Sequence, residues 1–193
     1  MIRPHNNTAE AVFLTPPDKI ALIAFLFSAA VTSATIAMPF LVYNQLGRGA
    51  LLSGIFAGAQ GIGYTASALV SSKYVTRAKN GLIWGVIGII GFTVFMSIMP
   101  LFRTPWISGF FYAVAFTFSA LAWPALHSWA GTEQVPKKRI RYMGRINVGW
   151  SAGGAAGPFL AGPLYELDYR LPYLFVAILC LWSLYLILRV PPE

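Results

Sequence analysis

Apolar positions along this chain gather into six long blocks, at about Ile20–Tyr43, Ala50–Ser71, Gly81–Phe102, Trp106–His127, Ile146–Leu164 and Leu171–Leu188, with short polar stretches between them. Each block is about 20 residues long, the length an α-helix needs to cross the hydrocarbon core of a bilayer. None contains Asp, Glu, Lys or Arg. The blocks do not alternate strictly between apolar and polar, and a segment in lipid must satisfy its own backbone hydrogen bonds, so they read as helices. The pattern predicts an all-α polytopic membrane protein: a tail at residues 1–17, a bundle of six transmembrane helices over residues 18–190 and a short end at 191–193. Expected connections are Asn44–Gly49, Lys73–Asn80, Arg103–Pro105, Ala130–Arg145 and Tyr165–Arg170, short enough to make sequential helices antiparallel.

Charge adds an orientation. Arg3, Lys19, Lys73, Arg77, Lys79, Lys137, Lys138, Arg139, Arg141, Arg145 and Arg189 fall on one side of the predicted bundle, whereas Arg48, Arg103 and Arg170 fall on the other. The positive-inside rule makes the basic side cytoplasmic, which predicts both termini inside a cell (inner) membrane. Tyr43, Trp106, Trp129, Tyr142, Trp150, Tyr165, Tyr169 and Tyr173 lie near the ends of the blocks, where interfacial anchors are expected.

Composition agrees with this setting. Hydrophobic residues make up 57% of the chain and charged residues 10%, against about 25% charged in a soluble domain. The formal net charge is +8, yet no basic-aromatic stripe or groove-reading motif accompanies it, so nucleic acid is not an expected partner. Membrane lipids are, because basic loops adhere to anionic headgroups. The lone cysteine, Cys180, sits in the sixth block as a small apolar residue. The first residues lack the basic start and short apolar core of a cleavable leader.

Small residues distinguish the second and fifth blocks. The second carries Gly54, Gly58, Gly61 and Gly63; the fifth carries Gly149, Gly153 and Gly157 at four-residue intervals, on one helical face. Such spacing lets helix backbones approach closely. Gly153-x-x-x-Gly157-Pro158-x-x-Ala161-Gly162 resembles the glycine-proline motif on the fifth helix of major facilitator superfamily transporters, above all their drug antiporters. That pattern is G-x-x-x-G-P-x-x-G-G, and Ala161 stands in place of one Gly. Tyr169-Arg170-Leu-Pro-Tyr173 resembles the superfamily's aromatic-Arg-x-x-aromatic approach to its sixth helix. The loop signature G-x-x-x-D-R-x-G-R-R/K has a degenerate counterpart at Ser72–Gly81: Arg77 matches the Arg, but Thr76 replaces the Asp, so the gating role of that carboxylate is not carried over.

The resemblance implies the N-terminal six-helix half of a transporter working by alternating access, with the substrate site between two halves. It makes Gly153, Gly157, Pro158 and Gly162 the candidate conformational hinge, sliding against the partner half, since a proline removes a backbone donor and glycines admit close contact. Thr76 and Arg77 mark the inner-loop motif. The missing second half, or a homodimer partner, is an expected partner beside a small-molecule substrate, with efflux of amphipathic compounds the favoured direction. The chain stops soon after the sixth block, which favours a truncated or partial transporter; a half-size homodimer or a non-transporting scaffold or regulatory protein of the same fold is the alternative.

Polar residues within the blocks supply the cavity candidates. Ser28, Thr32 and Thr35 share a face of the first helix, and Gln60, Tyr64, Ser67 and Ser71 share one of the second. Each hydroxyl can equally bond its own i−4 carbonyl, and Gln60 can as well join two helices as touch substrate. Trp123 offers a stacking surface and His127 a titratable ring near the inner end of the fourth helix. Asn147, at the inner end of the fifth block, can face the cavity or cap the helix. No nucleophile elbow, His-Glu-x-x-His, phosphate loop or other catalytic constellation occurs, so no enzyme, metal or cofactor is expected. No carboxylate lies within a block, which leaves His127 as the one intramembrane candidate for proton coupling.

Overall fold

The computed structural model describes residues 14–75 and 80–191, and the described residues form an all-helical bundle. Its six long helices are α1 (Pro16–Phe40), α2 (Ala50–Val75), α3 (Leu82–Ile98), α4 (Pro105–Gly131), α5 (Pro136–Leu167) and α6 (Leu171–Ile187). A π-helical turn, Leu41–Gln45, prolongs α1, and a 3₁₀ turn, Met99–Leu101, prolongs α3. Four of the helices (α1, α4, α5 and α6) carry proline in the first turn, where its missing N–H has no intrahelical partner to lose.

Among the described residues, three segments are long and apolar enough to cross a membrane, Pro16–Gln45, Leu82–Leu101 and Pro105–Gly131, and α6 is a shorter apolar helix. α2 and α5 have the length but not the hydropathy, because glycine, serine and, in α5, a basic first third dilute them. That first third corrects the expected connection Ala130–Arg145. α4 runs on to Gly131 and α5 starts at Pro136, so Lys137, Lys138, Arg139, Arg141 and Arg145 ride on the opening turns of a helix. Thr76 and Arg77 lie outside the described residues.

α1 is the central element. It packs mainly on α5 and α6; α6 in turn packs on α3, α3 on α4, and α4 on α2. Ile20, Ile23, Ala24, Phe27, Ala30, Ala34 and Ala37 of α1 have no exposed surface. An aromatic series threads the core: Phe27 meets both Trp123 and Phe92 at 5.5 Å between ring centres, Phe92 meets Phe116 at 5.5 Å, and Phe116 meets Tyr112 at 4.8 Å. α6 buries Val176, Cys180 and Ser183 while exposing Leu174, Ile178 and Leu181. α3 likewise exposes Ile83, Ile87, Ile90 and Val94, so both present outward faces suited to lipid. Tyr173, expected as an interfacial anchor, is instead buried in the core.

α1 and α5 pass at backbone contact. A β-carbon on Gly149 would collide with the Ala21 carbonyl and one on Gly153 with the Phe25 carbonyl, and one on Gly157 would lie 2.5 Å from the Ala29 carbonyl oxygen. The matched steps of four residues on both helices make the contact parallel. Side chains reinforce it: the Ser28 hydroxyl donates to the Trp150 carbonyl (2.8 Å) and the Ser33 hydroxyl to the Gly157 carbonyl (3.0 Å). The small-residue face of α5 is therefore committed to α1 within the chain, which corrects the expectation that this face slides against a partner half.

Candidate functional site

Tyr64 of α2, Trp123 and His127 of α4, and Asn147 and Trp150 of α5 line one cavity of about 230 Å³. Three helices contribute because α2 and α5 both lean on α4. α4 also contains Pro124, beside Trp123. Trp123 and Trp150 stand nearly perpendicular, with ring centres 6.5 Å apart and an interplanar angle of 76°. The Trp123 ring is braced from behind by Phe27. The cavity therefore offers aromatic surfaces from two sides, an imidazole, an amide and a phenol, and no charged side chain. Such a wall suits a planar, largely apolar solute with a few hydrogen-bonding groups.

Asn147 lies about three turns into α5. The capping alternative for it is thereby removed. Trp150, expected at the membrane interface, forms a wall of the cavity instead. The signal was its spacing: Asn147 and Trp150 are three apart and share a helical face.

The remaining candidates sit elsewhere. Thr32 donates to the Ser28 carbonyl (2.9 Å) and Thr35 to the Val31 carbonyl (2.9 Å), the local bonds open to any hydroxyl on a membrane helix. Ser28 ties α1 to α5. Gln60 accepts a hydrogen bond from the Tyr112 hydroxyl, 2.8 Å away, and so joins α2 to α4. Tyr112 carried no sequence signal, since a tyrosine in an apolar block does not reveal which helix its hydroxyl will meet. Of the hinge set, Gly153 and Gly157 pack on α1, whereas a β-carbon on Gly162 would meet nothing within 4 Å. Pro158 lies inside α5 with Pro163.

At the opposite end, the approach to α6 is ordered by its own side chains. Asp168 Oδ1 accepts the Arg170 N–H (2.7 Å), and Arg170 Nε donates to the Tyr169 hydroxyl (2.8 Å). The Arg170 guanidinium is held further above its ordinary value chiefly by that hydroxyl.

The family model described as Major Facilitator Superfamily matches residues 20–193, nearly the whole chain. The chain belongs to the Major Facilitator Superfamily. Neither a curated protein nor a solved structure matches it. The superfamily consists of transporters rather than enzymes, and membership makes the chain an integral membrane protein whose family moves solutes across membranes.

Proposed function

We propose that the chain supplies one six-helix half of an alternating-access transporter for small amphipathic solutes, and that Tyr64, Trp123, His127, Asn147 and Trp150 are its share of the substrate site. The observation that carries the reading is the convergence of α2, α4 and α5 on one uncharged aromatic cavity. The outward surfaces of α2 and α5 support the need for a second half or a second copy. Leu51, Ile62 and Phe159 are 81%, 75% and 80% exposed. A β-carbon on Gly54, Gly58 or Gly61 would meet nothing within 4 Å. Such small-residue surfaces suit close helix contact. The resemblance of Gly153-x-x-x-Gly157-Pro158 to the drug-antiporter motif supports efflux as the direction.

The test is flux of a fluorescent amphipathic compound from cells expressing the chain, compared with Trp123→Ala and Asn147→Ala at matched membrane levels. Loss of flux in both variants is the expected result. Equal flux in both sinks the assignment of the cavity, and no flux in any form, with or without a co-expressed second half, favours a scaffold of the same fold.

A further inference from the structure

The basic end of the bundle carries a second, larger cavity, remote in chemistry from the aromatic one. It has a volume of about 680 Å³ and lies where the start of α1, the end of α4, the start of α5 and Pro191 come together. Lys138, Arg141 and Arg145 project from successive turns of α5 into its lining, opposed by Glu133. Arg145 also pairs with Asp18 of α1 at 2.5 Å. Neither Lys138 nor Arg141 has an ion-pair partner among the described residues. α5 begins here without a side-chain cap and without an acidic residue in its first turn, so the positive end of its dipole adds to the same field. Trp129 and Tyr142, stacked at 6.0 Å between ring centres, form an aromatic wall of the kind found at headgroup depth.

A second groove of about 600 Å³ shares Arg141 and Arg145 with this cavity and continues along the seam of α1 and α5, between Ala21 and Phe25 on one side and Val148 and Ala152 on the other. One end of the combined site sets Lys138, Arg141 and Arg145 against Glu133 and Asp18, a net cationic group, and the other end is apolar. A free phosphate would use only the first; a phospholipid uses both. We infer that this is a binding site for an anionic phospholipid, with its phosphate among Lys138, Arg141 and Arg145 and an acyl chain along the α1–α5 seam. A lipid seated there would fasten the inner ends of α1, α4 and α5 to one another, through a contact distinct from the solute cavity.

The test uses the full chain purified in a non-ionic detergent and titrated with phosphatidylglycerol or phosphatidylcholine, with bound lipid counted by native mass spectrometry. Phosphatidylglycerol is expected to bind at least about tenfold more tightly than phosphatidylcholine. The pair Lys138→Gln/Arg141→Gln should erase that preference, while Lys137→Gln/Arg139→Gln, which removes equal charge from α5 outside the lining, should keep it. Ala152→Trp, which fills the groove and leaves every charge in place, should weaken phosphatidylglycerol binding on its own. Equal binding of the two lipids, equal loss in the two double variants, or displacement of phosphatidylglycerol by millimolar inorganic phosphate with Ala152→Trp silent would each overturn the inference. All the substituted residues are exposed on the surface of the bundle, and an unchanged unfolding temperature in phosphatidylcholine is the check that each variant retains the bundle.

Discussion

Gly153 of α5 rests directly on the Phe25 carbonyl of α1, with no room for a β-carbon between them. Backbone rather than a flexible side chain forms the obstacle, so the helices must separate to admit even a methyl group. Gly153→Ala should destabilise the bundle by about 3 kcal/mol, the upper range of overpacking costs. Gly162→Ala should leave it nearly unchanged, because that position opens on empty space. Thermal unfolding of the purified protein in detergent measures both. A melting temperature equal to wild type for Gly153→Ala would show that α1 and α5 do not pack as described. The same geometry alters what a bulky residue at Gly157 would do: it would strike the Ala29 backbone and disturb folding before transport.

The Tyr112–Gln60 hydrogen bond is the clearest polar link between α2 and α4. Tyr112 is buried, and Gln60 is half-buried. In a membrane protein such a bond contributes about 0.6–2 kcal/mol, because the unfolded helices also find partners in lipid. A double-mutant cycle with Tyr112→Phe and Gln60→Leu should return a coupling of about 1 kcal/mol. Additive single effects would mean that the two side chains do not meet in the bilayer.

How much of this was legible in the sequence varied with the range of the interaction. The all-helical class and six helices followed from apolar block length, a local property. The close contact made by Gly149, Gly153 and Gly157 followed from their spacing, but its partner did not: a small-residue stripe announces a neighbour without naming it, and the matching series on α1, Ala29, Ser33 and Ala37, competes with the glycines of α2 for the same role. Ser33 was missed for a related reason. Its hydroxyl crosses to the Gly157 carbonyl, and nothing in a lone serine separates that bond from a local one. The opening of α5 was misplaced because a run of basic residues reads as loop, although lysine and arginine are good helix formers and Pro136 supplies a start signal. Tyr64, Trp123, His127 and Asn147 were each singled out separately. Their meeting in one cavity depends on how three helices pack, which local pattern does not encode.

Asp18 and Arg145 tie the start of α1 to α5 at the basic end, with side chains 38% and 42% exposed. An ion pair this open to water contributes little, under about 1 kcal/mol. Asp18→Asn should therefore shift the unfolding temperature by only a few degrees, and the shift should shrink further at high salt. A salt-insensitive loss much larger than that would mean that the pair is shielded by lipid or by residues packed over it.

Trp150 offers the sharpest test of the aromatic cavity. Its ring forms a wall nearly at right angles to Trp123, while its carbonyl, not its side chain, accepts the Ser28 hydroxyl. Trp150→Ala therefore removes the ring and leaves the α1–α5 hydrogen bond in place. The side chain is 53% exposed, so truncation should cost the fold little. If a planar solute stacks there, losing the ring should raise the half-saturating solute concentration about tenfold, from the loss of one aromatic contact. Trp150→Phe, which keeps an aromatic face, should recover most of that loss. The maximal flux should stay near wild type in both variants, because stacking that is equally strong in every conformation lowers occupancy without slowing the conformational cycle. Concentration-dependent flux from cells at matched membrane levels separates these terms. A fall in maximal flux with an unchanged half-saturating concentration would place Trp150 in the moving machinery and leave the cavity without its second wall for binding.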